Sequence, residues 1–212
     1  MKALIIQGGW EGHSPEAVAQ LFAEKLRQNS FEVDVVDRLE VLNDLEVLKE
    51  YDLISPCWTM GELSETQSDN LCAAVHSGVG LGGLHGGMGD AFRGDLNYEW
   101  MVGGHFVGHP HVGDYTVTLT ENKHPSTELL PKEFPYHSEQ YYMLVDPAVT
   151  VHAETIYKYA DKEVRMPVVW TKEWGEGRVF YSALGHELSE FSDYPHVTEM
   201  TVKGMIWAAR SN

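Results

Sequence analysis

Apolar positions fall into two patterns, and the change between them comes near the middle of the chain. In the first half, short apolar runs alternate with stretches of helical spacing. Residues 2–7 form an apolar run closed by Gly8-Gly9, as in a strand buried on both faces. Ser14-Pro15-Glu16 then reads as a helix start, with Ser14 as its cap and Pro15 in the first turn. Val18, Leu21, Phe22 and Leu26 mark its inward face. Residues 31–36 predict a second strand, 43–50 a short acidic helix and 51–57 a third strand. Residues 64–77 predict a helix with Leu71, Ala74 and Val75 inward, and 80–84 a glycine-rich fourth strand.

In the second half, residues 115–120 alternate strictly between apolar and polar, which predicts a strand with one solvated face. Further strands are expected over 141–145, 150–156, 167–171 and 178–182, the last two joined as a hairpin through Gly175 and Gly177. A helix over 197–209 closes the pattern, with Met200, Val202, Met205, Ile206 and Ala209 as its apolar positions. Residues 85–113, rich in glycine and histidine, read as long loops, and loops of that length usually carry function. The fold class is therefore α/β: a doubly wound, mostly parallel, flavodoxin-like sheet with helices on both faces and a β-rich extension. It is expected as a single domain over 1–212.

Composition narrows the function. The formal net charge of −17 opposes nucleic acid and anionic membrane as partners and favours a neutral small molecule. No apolar stretch approaches the roughly 18 residues of a spanning helix, and the N-terminus reads as a strand rather than a signal peptide. The cytoplasm is the expected setting. Cys57 and Cys72 form no metal knuckle or redox pair. With no GxGxxG or P-loop, neither nucleotide nor flavin is expected.

The sharpest local signal is Gly83-Leu84-His85-Gly86-Gly87, directly after an apolar strand. Its Gly-x-nucleophile-x-Gly spacing marks a tight strand-to-helix elbow, here displaying His85 at the carboxyl edge of the sheet. His13 follows the first strand and His186 the last. These three are the candidate catalytic residues. Imidazole suits both acid–base work near neutral pH and metal ligation. A divalent metal such as zinc is the cofactor to test for. His105 and His109 are its candidate ligands, and a set of His85, His105 and His186 is an open alternative. Asp90, Arg93, His137 and Glu139 are candidate substrate contacts. Trp10 and Trp58 are candidates for stacking on the apolar face of a sugar, with Trp100, Tyr141 and Tyr142 near the same loops.

The elbow resembles that of class I glutamine amidotransferases, with histidine in the cysteine position, and Ala183-Leu184-Gly185-His186-Glu187 resembles the segment holding their histidine. A histidine elbow cannot form the thioester that glutamine hydrolysis needs. Together with Gly8-Gly9 and His13, LHGG, MVGGHFVGHP and PVVWTKEWGEGRVFYSALGH, these segments make the chain similar to the ThuA-like, trehalose-utilisation family over nearly its whole length. The resemblance implies a glutamine-amidotransferase-like fold and a role in trehalose or related sugar metabolism. Leu188 stands where those amidotransferases place the carboxylate that orients their histidine, so Glu139 or Glu187 is expected to replace it. The resulting expectation is an enzyme acting on a disaccharide or keto-sugar by hydrolysis, isomerisation or elimination. The alternative is a non-catalytic sugar-binding or regulatory module. Self-association into a homo-oligomer is also expected.

Overall fold

The computed structural model describes residues 1–210; the last two residues of the expected domain, 211 and 212, lie outside the described residues. The first strand, β1 (Lys2–Gly9), leads through a 3-10 turn at Glu11–His13 into α1 (Pro15–Gln28), then β2 (Glu32–Val36). A second 3-10 turn precedes α2 (Leu45–Lys49), β3 (Leu53–Thr59), α3 (Glu65–His76) and β4 (Gly80–Leu84). Two short helices follow, α4 (His85–Gly89) and α5 (Leu96–Val102). The strands β5 (Gly104–Leu119), β6 (Glu133–Val145), β7 (Thr150–Tyr159), β8 (Lys162–Trp174) and β9 (Gly177–Ser182) come next, before α6 (Glu190–Asp193) and α7 (Pro195–Ala208).

All nine strands join one sheet in the order β2-β1-β3-β4-β9-β8-β7-β5-β6. From β2 to β9 the neighbours are parallel, and from β9 to β6 they are antiparallel. The sheet is thus mixed rather than mostly parallel. Its helices pack in two groups, α1 against α7, and α3 against α2 and α5. The core is built from β1 (Ala3, Leu4, Ile5 and Ile6), the inward faces of α1 and α7, and the β8–β9 hairpin, where Trp170, Phe180 and Tyr181 are fully buried.

Two local expectations are corrected. Ser14 does not cap α1: it sits at φ 47°, ψ 52° with no side-chain cap bond. Capping requires an extended backbone there, and the preceding 3-10 turn imposes a left-handed residue instead. The stretch 85–113 is not loop: it holds α4, α5 and the first ten residues of β5. Gly104, Gly108, Pro110 and Gly113 broke the alternation in the sequence. In the structure they accompany register shifts at Phe106/Gly108 and Gly108/His111, where the strand bends without ending. Ser64 does cap α3, through a reciprocal capping box with Gln67.

A buried histidine pair lies where the segment after β5 packs between β7 and α7. The His124 and His152 rings are 4.5 Å apart, and the edge of Trp207 closes on His124. His152 is held by the Asn122 carbonyl and by Thr171. Burial, reinforced by His152, pushes His124 down to about 4, and burial lowers His152 too. Below pH 6.5 the unfolded chain therefore takes up protons that the folded chain accepts only near pH 4. Stability is expected to be flat above about pH 6.5 and to fall toward pH 4, by on the order of 3 kcal/mol through His124. Urea midpoints from pH 7.5 to 4.5 measure this, and His124→Phe should flatten the slope. An unchanged slope in that variant would assign the effect elsewhere.

Candidate functional site

Parallel register brings distant segments to one edge. Gly9 at the end of β1 pairs with Thr59 at the end of β3, and Leu84 at the end of β4 pairs with Ser182 at the end of β9. His13, His85 and His186 each follow one of these strands and so converge at their carboxyl ends. The His13 ring lies 4.9 Å from His85 and 5.1 Å from His186, and His85 lies 5.3 Å from His186.

His85 occupies the elbow as its sequence implied, with φ at 43°, in the left-handed region. Its side chain is 3% exposed. Nδ1 lies 2.9 Å from the Ala183 carbonyl, which only accepts, so this nitrogen carries the proton and donates it. Nε2 is thereby turned toward the site. The elbow is further held by Tyr181, whose hydroxyl donates to the His85 carbonyl at 3.1 Å. His13 Nδ1 sits 2.7 Å from the Thr59 hydroxyl. Burial lowers His13 to about 3, with the charges of His85 and His186 adding to that, so its ring is neutral at physiological pH.

The fourth member comes from the antiparallel half. Glu139 of β6 places Oε2 3.3 Å from His85 Nε2 and 3.4 Å from His186 Nδ1, and Oε1 3.4 Å from His109 Nε2. Burial raises its carboxyl, but its contacts with His85, His186 and His109 outweigh that and hold it below the usual carboxylate range. Donor atoms of His13, His85, Glu139 and His186 all lie within 4.8 Å of one another. Two of them, His85 Nε2 and His186 Nδ1, are buried without a hydrogen-bond partner. Glu139, not Glu187, is the carboxylate that joins the cluster; Glu187 is largely exposed and, among the described residues, its carboxylate reaches only His186 Nε2, at 3.3 Å.

The remaining candidates divide. Trp10 is half exposed and packs edge-on against His13 at 4.8 Å. Trp58 packs over Gly8 and Gly61 beneath the rim. Asp90 does not orient His85; it is buried and accepts from Arg93 Nε at 2.5 Å and Nη2 at 2.8 Å. His109 borders the cluster, whereas His105 turns away to Glu99 at 2.9 Å. His137 is exposed and pairs with Asp114 at 2.6 Å. It lies two residues from Glu139 along β6, about 7 Å at strand rise, which carries it past the rim.

Sequence reading missed the supports. Glu190 accepts from the hydroxyls of Tyr136 and Ser138 and from the backbone of His186 and Glu187, tying the His186 segment to β6. No motif announces it. Cys57 lies near the cluster, but burial pushes its thiol up to about 12, which removes it as a nucleophile. Among the described residues, no helix is long and apolar enough to cross a membrane.

The family model described as trehalose utilisation, ThuA, matches residues 2–208. The chain superposes over 98% of its length on a ThuA-like protein from Bacteroides uniformis, covering 91% of that chain with a TM-score of 0.79 at 23% identity. It likewise superposes over 98% on a ThuA-like protein from Parabacteroides merdae, covering 89% of that chain with a TM-score of 0.78 at 18% identity. A cytoplasmic protein from Salmonella typhimurium matches over the full length of both chains, with a TM-score of 0.70 at 13% identity. At such identities the likeness is one of fold. No curated protein sequence matches the chain.

Proposed function

This chain belongs to the ThuA, trehalose-utilisation family, and from that premise we propose that it is an enzyme acting on a disaccharide or keto-sugar through a metal-assisted histidine cluster. The reading takes the parallel half as a doubly wound sheet, whose ligands bind beyond the carboxyl ends of the strands. The observation that carries it is the close approach of His85 to Glu139. His85 donates from Nδ1 to Ala183, and its Nε2, buried and without a hydrogen-bond partner, faces a carboxylate oxygen of Glu139 at 3.3 Å. Such a contact is repulsive unless a cation or proton lies between. Ligand atoms 2.0–2.1 Å from a tetrahedral zinc stand about 3.3 Å from one another. The separations of Glu139 Oε2 from His85 and His186 fit that spacing.

His13, His85, His186 and Glu139 would hold the metal, replacing the His105–His109 pair suggested by spacing. When bound, zinc polarises a carbonyl or hydroxyl oxygen as a Lewis acid. The protein's own residues do the rest. Trp10 offers an apolar face to a sugar ring beside His13. His109, at the rim and 44% exposed, is placed to exchange a proton between substrate and solvent. The cytoplasm and a small neutral sugar complete the reading.

Elemental analysis of the purified protein should find about one divalent ion per chain. Its removal by chelator should destabilise the fold by roughly 4 kcal/mol at a thousandfold excess over Kd. Disaccharides and their 3-keto forms should then be screened for turnover. Turnover by metal-free protein with an unshifted Tm would refute the metal, and tight sugar binding without turnover would favour a binding module.

A further inference from the structure

One polar group at the cluster is unused by the ligand set. The Tyr141 ring stacks on His85, with centroids 4.1 Å apart and planes at 28°, and its other neighbour is Phe106 at 4.4 Å. The residue is 4% exposed. Among the described residues its hydroxyl makes no hydrogen bond. A Cβ built on Gly86 would stand 3.0 Å from that hydroxyl and 2.7 Å from His13 Nδ1, so both groups lie over the same glycine, at the mouth of the cluster. The ring is buried while the hydroxyl is not sealed off, so it opens onto the site, where a ligand oxygen can take the place of water.

Arg93 adds to this. Asp90 grips its Nε and Nη2, leaving Nη1 without a partner among the described residues, and Phe106 lies 5.8 Å beneath the guanidinium. The Arg93 guanidinium and the Tyr141 ring thus both pack against Phe106. Each has a donor, Tyr141 Oη and Arg93 Nη1, with no acceptor bonded to it among the described residues.

We propose that Tyr141 is a further catalytic residue: its hydroxyl donates a hydrogen bond to a substrate oxygen that gains negative charge, with the Arg93 cation beside it. The matching oxygen is an acceptor, a carbonyl becoming an enolate-like oxyanion as His109 takes the proton from the adjacent carbon, and no proton need leave the tyrosine. This rests on the sugar-chemistry reading and deepens it toward carbonyl substrates. Direct acetal cleavage in most glycosidases uses two carboxyl groups that flank the substrate bond. Here the His186 ring stands between Glu139 and Glu187, in the place such a bond would take.

The test is calorimetric titration of glycolohydroxamate, a small enediolate mimic, into the protein as purified, with zinc content measured on the same samples. Tyr141→Phe keeps the ring stack and removes only the donor. It should weaken binding at least tenfold with zinc content and Tm unchanged. Binding equal to that of the wild type, or a zinc-bearing wild type that does not bind the probe, would overturn the assignment. Tyr141-dependent binding by protein that carries no zinc would uphold it and refute the metal instead.

Discussion

His85→Ala is expected to reduce turnover about a thousandfold or more and to strip the metal, while the chain still folds. The imidazole supplies one of four converging donors, and no other side chain stands on the elbow to replace it. A metal acting as Lewis acid would contribute several kcal/mol of transition-state stabilisation, and about 4 kcal/mol is a thousandfold in rate. The structural loss is smaller. Alanine leaves the Ala183 carbonyl without its donor and opens space between His13 and Tyr141, an effect of about 1–3 kcal/mol. Circular dichroism should therefore remain native and Tm fall by several degrees, with metal content near zero. A variant that keeps its metal and its rate on the true substrate would end the role assigned to this residue.

Gly86→Ala should come close to the same loss by another route. Its added methyl would lie 2.4 Å from His13 Cε1 and 2.7 Å from Nδ1, well inside contact. Either His13 swings out of the cluster or the elbow shifts. Gly86 has no left-handed φ, so backbone strain plays no part and the effect is steric. Metal affinity, read by chelator competition, is expected to drop about a hundredfold, in the range seen when a metal site's supports are lost. The control is a double-mutant cycle. In a His13→Ala background the ring that clashes is gone, so Gly86→Ala should add little. Additive losses, or full affinity in the single variant, would show that His13 is not a ligand.

The histidine elbow explains why these two neighbours are so sensitive. Its signal in the sequence was sharp because strand, turn and helix are local: glycines on each side of the displayed residue leave room for the close approach of Met88, His13 and Cys57. The same holds for the placement of His13, which follows an apolar run read as a parallel strand. His186 follows one read as half of a hairpin, and its place at the same edge came from the family resemblance, with β9 lying parallel to β4 in the fold. Trp58, by contrast, sits beside glycines that admit a ring, and nothing in its neighbourhood distinguishes a packing residue from a stacking one.

What the chain determined by itself was this edge and its three imidazoles, through apolar periodicity, capping chemistry and glycine spacing, all read over a few adjacent residues, and for His186 through the family resemblance. The tertiary structure alone decided which partners complete them. Glu139 reaches the cluster because β6 joins the sheet at its far end and folds back toward the elbow. His109 faces Glu139 while His105 pairs with Glu99, across a strand whose register shifts between them. The proton on His85 is placed by a carbonyl 98 residues away. The physical reason is that such pairings depend on strand order and bulges, which set distances between side chains far apart in sequence and leave no trace in the pattern around either one.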